Sequence, residues 1–391
     1  MDWKRFEFEY RFKTDNLLRL LVAIEAYREA ALNLVLPPDW REQLDRLNRV
    51  RAVHGTTALE GNPLSEQQVA ESLHGGGGNS HQTREQIQIS NAGRAQDWIR
   101  SRFAKDREPL RLRDILEMHR LMTEKSDETN NAPGKFRTVR VVVGTPALGG
   151  VHRAAPPADV PRLMDDFEAF INSGRLRHEH PLIRALLAHF FLVTIHPFGD
   201  GNGRVSRLVE AAILYQGGYN VLGFYGLSNY FYRNRDEYIR SLQECRRIQP
   251  FDVTSFVSFG LVGFAAELGG INNFIKTKLN RMVYRSTMQK ATNQKVGKRR
   301  RVLNDREYDL LDFLLRETEP EDPFAEKPSI QIPFSELLES PYVRAAYRNV
   351  TRRTFWRELE RLWDMGFIVL RRPEGSDGST FEIDFDAIGK Y

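Results

Sequence analysis

Apolar residues recur at helical spacing through most of the first 270 positions. Between Asp15 and Asn33, Leu17, Leu20, Leu21, Ile24, Tyr27 and Ala31 lie three or four residues from their neighbours on one face, which predicts an amphipathic helix. Pro37-Pro38 ends the following connection, and Asp39 is placed to cap a second helix reaching about Leu59. After the break at Gly61-Asn62-Pro63, Ser65 and Gln68 have capping-box spacing and open a short helix that stops at Gly75–Gly78, a loop tip. Further helices are expected over Arg84–Phe103 and Arg111–Thr123, the latter with Ile115, Leu116, His119 and Met122 on one face. The pattern then changes. Val139-Arg140-Val141-Val142-Val143 is β-branched, Gly144–Gly150 is rich in turn residues, and Val151-His152-Arg153 is extended, so a β-hairpin or flap is expected. Helical spacing resumes over Asp159–Ile171. Pro181–Ile195 is apolar on nearly every side, the mark of a central buried helix. Val205–Gln216, Arg235–Arg247 and Val253–Leu268 complete a mainly α-helical bundle.

The remainder differs in character. Leu268 to Asn304 holds no acidic residue but carries Lys276, Lys278, Arg281, Arg285, Lys290, Lys295, Lys298, Arg299, Arg300 and Arg301, which reads as a basic helix plus linker. Asn304 with Glu307 caps a helix through Leu315, a short helix starts at Ser335, and a third runs from about Thr351 to Met365, ended by Gly366. Two extended runs, Phe367–Arg371 and Thr380–Phe385, flank the turn-rich Pro373–Ser379. Three helices followed by a hairpin is the order of a winged helix, a helix-turn-helix variant.

Composition narrows the class only a little. With 391 residues, 28% of them charged and a net charge of +5, the chain is ordinary for a soluble protein and permits a nucleic-acid partner without requiring one. The single cysteine, Cys245, rules out an intramolecular disulfide and reads as a packing residue of a reducing compartment. The charged start, MDWKRFEFEYRFK, lacks the apolar core of a signal peptide, and the apolar runs around Leu182–Ile195 and Phe256–Leu268 fall short of the roughly 20 residues that span a bilayer. A cytoplasmic protein without a membrane partner is the expectation. His178, His180, His189 and His196 have no carboxylate that completes a transition-metal set; His189 lies inside the buried helix and reads as a hydrogen-bonded core residue, and His54 and His119 as packing.

Chemistry concentrates in His196-Pro-Phe-Gly-Asp-Gly-Asn-Gly-Arg-Val-Ser-Arg207, between two helices. Gly201, Asn202 and Gly203 lead into a helix N-terminus, where free N–H groups and the helix dipole favour an anion such as phosphate. Arg204 and Arg207 share a face of that helix and can pair with several phosphate oxygens. Asp200 stands where Mg²⁺ would bridge a carboxylate and phosphate oxygens. His196 is a candidate base for an attacking hydroxyl, and Phe198 an anchor of the loop in the core. Together these residues describe phosphoryl or nucleotidyl transfer without a Walker A motif.

The run HPFGDGNGRVSR resembles the signature of the Fic family, His-x-Phe-x-Asp/Glu-Gly-Asn-Gly-Arg-x-x-Arg, at every specified position, and the resemblance extends over roughly residues 40 to 265. It implies a Fic-type helical bundle with a β-hairpin flap, and transfer of AMP from ATP to a Ser, Thr or Tyr hydroxyl of a target protein or of the chain itself. Within it, His196 is implied as the base, Asp200 as the Mg²⁺ ligand, and Gly201, Asn202, Gly203 and Arg204 as the phosphate site. Arg207 is implied to hold the γ-phosphate, and the flap of Val139–Val143 with Val151 and His152 to dock a target segment by strand addition. Thr56-Thr-Ala-Leu-Glu60-Gly-Asn62 is similar to the family's inhibitory motif, which implies that Glu60 pairs with Arg207 and displaces the γ-phosphate.

The family's adenosine pocket has two tyrosines and a later asparagine; here Tyr238 is followed by Ile239, and Arg246 stands at the asparagine position, leaving Tyr238 as the adenosine-lining candidate. The resulting division is residues 1–110, an N-terminal helical region with the inhibitory motif; 111–270, a Fic catalytic core; 271–303, a basic helix or linker; and 304–391, a winged helix. Alternatives within the same chemistry are removal of AMP, with Glu60 orienting a water, or transfer of phosphate or phosphocholine. From another class, the chain would be a nucleotide-sensing DNA-binding regulator. The winged helix would take DNA, through Arg352, Arg353, Arg357 and Arg361, or a protein, and a homodimer is compatible with the sequence.

Overall fold

The computed structural model describes residues 1–391 apart from 16, 75–81, 105–107, 127–130, 220–225, 297–299, 321–330, 372–377 and 391. Gly75–Gly78 and most of the Pro373–Ser379 turn therefore lie outside the described residues. The chain divides into two units, Met1–Gly269 and Gly270–Tyr391.

The first unit opens with an element that the sequence pattern did not predict. Trp3, Phe6 and Tyr10 are buried, and strand β1 (Tyr10–Arg11) pairs in parallel with β4 (Phe251–Asp252). Phe8 stacks on Phe170 at 4.9 Å and meets Phe191 at 5.1 Å. The alternation of aromatic and charged residues is a period of two, which sends the rings to one side of an extended segment.

Helices follow: α1 (Leu17–Asn33), α2 (Pro38–Ala58), α3 (Glu66–His74), α4 (Arg84–Phe103) and α5 (Leu112–Thr123). Asp39 does not cap α2. Pro37 holds the N-cap position and Pro38 opens the helix, its fixed φ and missing N–H suiting the first turn. The capping box at Ser65 is present, with Ser65 N–H donating to Gln68 Oε1 at 2.9 Å and Gln68 N–H to Ser65 Oγ at 3.3 Å.

The hairpin is β2 (Val142–Thr145) against β3 (Gly150–Arg153), antiparallel. Its first strand begins at Val142 rather than Val139. Residues 139–141 lead into it, and the ladder reaches back only through Ala154 N–H to Val141 O. Then come α6 (Val160–Ile171), the short α7 (Gly174–His178), α8 (Pro181–Ile195), α9 (Asn202–Gln216), α10 (Ser228–Arg233) and α11 (Arg235–Cys245). α8 is buried along its whole apolar length and lies beside α9, with α6 on another flank. Cys245 is buried, and burial pushes its thiol up to about 11.

Helix α12 (Thr254–Asn293) corrects one expectation, since it does not stop near Leu268, and it carries the helical part of the basic segment to Asn293. Gly269-Gly270 is no break, because Leu268, Ile271, Phe274 and Ile275 are buried around it and tertiary packing outweighs the propensity cost. At 40 residues α12 is long and apolar enough to cross a membrane by length and composition; 61% of its most apolar window is buried within the chain, as in a core helix.

In the second unit the end of α12 supplies Tyr284, Met288 and Ala291 to a core shared with the later elements. Arg281, one of the basic run, is buried and donates to Leu315 O at 2.6 Å and to Thr318 O. β5 (Lys295–Val296) pairs with β6 (Arg300–Arg301). α13 (Asp305–Glu317) has the Asn304–Glu307 capping box. β7 (Ile332–Pro333), α14 (Phe334–Glu339), α15 (Pro341–Ala346) and α16 (Arg352–Asp364) precede the hairpin β8 (Ile368–Arg371) and β9 (Thr380–Ile383). β7 adds to the other edge of β9, giving the order β7-β9-β8. Of the arginines on α16, Arg361 is held inside the fold, donating to Glu307 Oε1 at 2.6 Å and Val302 O at 2.7 Å, and Arg352 lies over the Phe334 ring. Arg353 and Arg357 remain exposed.

Candidate functional site

The buried helix α8 ends by turning its next residue, His196, into the left-handed region at φ 56°. Its N–H still closes the helix on Leu192 O at 2.9 Å. A non-glycine residue rarely adopts this conformation, and the structure around it supplies the restraint. Arg137, which the sequence reading passed over, is buried and donates from Nε to His196 O at 2.7 Å, from Nη1 to Val139 O at 2.7 Å, and from Nη2 to Ala155 O. His196 Nδ1 lies 3.3 Å from Val193 O, so the tautomer with hydrogen on Nδ1 leaves Nε2 as the basic nitrogen. Burial lowers its pKa to about 4, with Arg246 and Arg137 acting in the same direction, so the ring is neutral at pH 7.

Beyond it the loop is fastened from beneath. Phe198 is fully buried and stacks on His119 at 3.9 Å. His119 accepts Gly134 N–H at Nδ1 (2.9 Å) and donates from Nε2 to Asp200 O (3.1 Å), so it positions the loop rather than merely packing. Asn202 turns its side chain inward: Phe198 N–H donates to its Oδ1 at 2.9 Å and its Nδ2 donates to Phe198 O at 2.8 Å. Any anion contact by Asn202 would therefore come from its backbone N–H. Gly201 has φ 78°, and a Cβ there would lie 2.9 Å from Thr123 Cγ2, so only glycine fits. α9 starts at Asn202, earlier than its apolar pattern begins, which puts Gly203 and Arg204 in the first turn where N–H groups have no intrahelical acceptor.

The two arginines of the run are buried and take different partners. Arg204 pairs with Asp200, four residues earlier. Arg207 donates from Nε to Thr56 Oγ1 at 2.8 Å, and from Nη2 to Thr56 O at 3.0 Å and Glu60 Oε1 at 2.7 Å. Glu60 is delivered by the end of α2, where Gly61 at φ 94° donates to Ala58 O and Asn62 N–H returns to Thr57 O. Asn62 Nδ2 then ties this turn to α4 through Glu85 O and Gln88 Oε1. Desolvation raises the Glu60 pKa, but Arg207 and Arg204 outweigh it and the net shift is downward, so Glu60 is an anion over the loop. A Cβ at Gly203 would lie 2.3 Å from Glu60 Oε1, which measures how closely the carboxylate sits on the first turn of α9.

A cavity of about 280 Å³ is lined by Glu60, Val143, His196, Gly203, Tyr238 and Arg246, among others. Gly144 of the flap lines it as well, and Gln243 Nε2 reaches Val143 O at 3.5 Å. Val142 and Val151 project outward, 59% and 53% exposed, whereas His152 turns in and shares a hydrogen with Thr194 O at 2.8 Å. Burial lowers the His152 pKa to about 3, so it is a neutral support of the flap and offers no side chain to a docked segment. The Tyr238 hydroxyl also points into the core, 2.9 Å from His189 Nε2, and His189 Nδ1 is 2.8 Å from Glu210 Oε2. Only the rest of the Tyr238 ring is left to line the cavity. Arg246 donates to Thr194 Oγ1 at 3.0 Å and Gln243 Oε1 at 3.4 Å.

The neutral histidine that closes one helix and the glycine turn that opens the next both lie in a stretch that matches a known domain family. The Fic/DOC family model matches residues 109–214, and the chain carries a domain of that family. Among curated relatives, "Protein adenylyltransferase Fic" of Aedes aegypti is 33% identical over 173 residues, 44% of this chain and 33% of that protein. The same-named protein of Drosophila grimshawi is 43% identical over 108 residues, 28% of this chain and 21% of that protein. The chain thus spans a third or less of the length of these relatives. A solved Fic family protein from Desulfovibrio desulfuricans G20 covers 97% of this chain and 98% of its own at a TM-score of 0.55 and 20% identity. Fic-1 from C. elegans covers 67% and 73% at a TM-score of 0.54 and 24% identity. Both are likenesses of fold.

Proposed function

We propose that the chain is a protein adenylyltransferase, transferring AMP from ATP to a hydroxyl side chain, and that Glu60 restrains it. The observation that carries this reading is the Glu60–Arg207 ion pair laid over Gly203, in a cavity that also presents the free Nε2 side of His196. In this reading the target hydroxyl gives its proton to His196 Nε2 and its oxygen bonds to the α-phosphorus. The bond from that phosphorus to the bridging oxygen breaks, and pyrophosphate leaves. The first-turn N–H groups of α9 and the guanidinium of Arg204 hold the phosphate charge. Asp200, a half-buried carboxylate beside that turn, fits Mg²⁺, which would supply charge neutralisation to phosphate oxygens there. The outer edge of the two-stranded flap has unpaired backbone groups, and adding a target strand there would place a hydroxyl near His196.

ATP labelled at the α- or the γ-phosphate, incubated with the full chain and with Glu60→Gly, tests this. Label enters protein from the α-position alone; entry only from the γ-position would overturn AMP transfer in favour of phosphate transfer. Removal of AMP is the second reading, favoured by Glu60 and His196 lining the same cavity, where the carboxylate would orient a water. The C-terminal unit, read as a winged helix, is proposed as a partner-binding module for protein or DNA, with Arg353 and Arg357 as exposed cations on α16.

A further inference from the structure

Helices α8 and α9 lie side by side, and their loop-distal ends frame a second cavity of about 450 Å³. The α8 helix has 15 residues, so this cavity is about 22 Å along it from His196. Its lining includes Arg177, Arg184, Glu108, Pro109, Pro181 and Gly217. Arg184 is half-buried, its Nε is sealed from solvent without an acceptor, and its side chain has no ion-pair or hydrogen-bond partner among the described residues. Single orphaned nitrogens occur on Arg204, Arg207 and Arg281 as well, but each of these guanidinium groups has other partners. Arg137 has three carbonyls, Arg204 has Asp200, Arg207 has Glu60, and Arg281 has Leu315 O and Thr318 O.

The charged group nearest in effect to Arg184 is another cation, Arg177, whose side chain donates to Asn172 Oδ1 at 3.5 Å. Burial, and then Arg177, lower the Arg184 pKa to about 10, so it stays charged at pH 7. The carboxylate in the lining does not neutralise the pair, since Glu108 Oε2 is 2.8 Å from Arg102 Nη2. The N-terminus of α8 and the C-terminus of α9 meet here, so their dipoles contribute opposite signs and the two guanidinium groups set the net sign. A desolvated cation beside a like charge is an unfavourable arrangement that a bound anion relieves. The volume falls in the range of small-molecule sites, and the faces of Pro109 and Pro181 offer apolar contact to the body of a ligand.

We propose that this cavity is a second anion site, which takes the phosphate group of a small phosphorylated molecule between Arg177 and Arg184. The proposal is independent of the chemistry assigned to the His196 loop. The test uses inorganic phosphate as the probe and calorimetry at fixed ionic strength, on the full chain carrying Arg204→Ala and Arg207→Ala so that the loop no longer competes. Saturable binding persists in that background, and adding Arg184→Met weakens it about tenfold or more, the loss expected for one charge-assisted pair in a partly dry site. Arg184→Lys, which keeps the charge and guards against a folding defect of the methionine variant, retains part of the affinity. Thermal unfolding of each variant without phosphate checks that it is folded. Loss of all phosphate binding in the Arg204→Ala/Arg207→Ala background would overturn the proposal. So would unchanged binding in Arg184→Met, or binding of a glutamate-rich peptide but not of phosphate, which would assign the cavity to an acidic protein segment.

Discussion

Arg204 and Arg207 stand three residues apart on one helix, are equally buried, and are both suited to phosphate, yet one takes a neighbour in sequence as its partner and the other a distant segment. Arg204 is paired within its own turn, to Asp200. Arg207 is paired to Thr56 and Glu60, about 150 positions away in sequence. Under the proposed function the difference separates two roles that a single loop would otherwise merge: the groups proposed to bind phosphate are local to the loop and α9, whereas the proposed restraint is long-range and depends on the end of α2 resting against α9.

Breaking the local half has the largest expected effect. Arg204→Ala, measured as transfer of α-labelled AMP in the Glu60→Gly background, lowers the rate about 10²-fold or more, because the buried charge donor proposed for the phosphates is lost. A rate within about threefold of the parent would show that the two arginines do not divide the work in this way. Breaking the long-range half acts in the opposite direction. Glu60→Gly raises ATP affinity about tenfold and increases self-modification, since Arg207 no longer has a carboxylate to trade for phosphate. Unchanged ATP affinity by calorimetry would remove the restraint from the account. The smallest effect sharpens the comparison. Thr56→Val keeps the shape but removes the acceptor at Arg207 Nε, weakening the anchoring of Arg207 by about 1 kcal/mol. ATP affinity then shifts severalfold at most while the Glu60 pair persists, and a change as large as that of Glu60→Gly would mean that Thr56 holds Arg207 and Glu60 is secondary.

The same contrast between local and distant explains what the sequence could reveal. The His196–Arg207 run was legible because its chemistry is contiguous: loop, helix start and charged residues lie in one stretch. Glu60 was legible only through its resemblance to a motif, since nothing in its own neighbours points to Arg207. Arg137 and His119 carried no such mark. Each is a single polar residue whose partners are backbone carbonyls and amides of other segments, and spacing along the chain says nothing of those. Tyr238 was placed at the cavity, but its hydroxyl is drawn inward by His189 and Glu210, an inward network that the sequence spacing could not place. Local propensity alone ends α12 at Gly269-Gly270, and the burial of Leu268, Ile271, Phe274 and Ile275, which spacing does not reveal, carries the helix on. The short helices α7, α10 and α15 are too brief to set up a period, and the aromatic strand at the N-terminus alternates over too few residues to stand out from a charged tail.

Arg137 has a mechanical consequence. One guanidinium binds the carbonyl of His196, the carbonyl of Val139 at the entry to the flap, and the carbonyl of Ala155 at its exit. Base and hairpin are thereby riveted to a single rigid fork, so neither can shift without the other. A strand laid along β2 would be indexed against His196 Nε2 like a rule against a fixed stop, and the choice of which hydroxyl reacts would follow from how many residues separate it from the first backbone pair. Selectivity of this kind would be read in spacing rather than in side-chain identity, and it would be tolerant of almost any sequence that keeps the count.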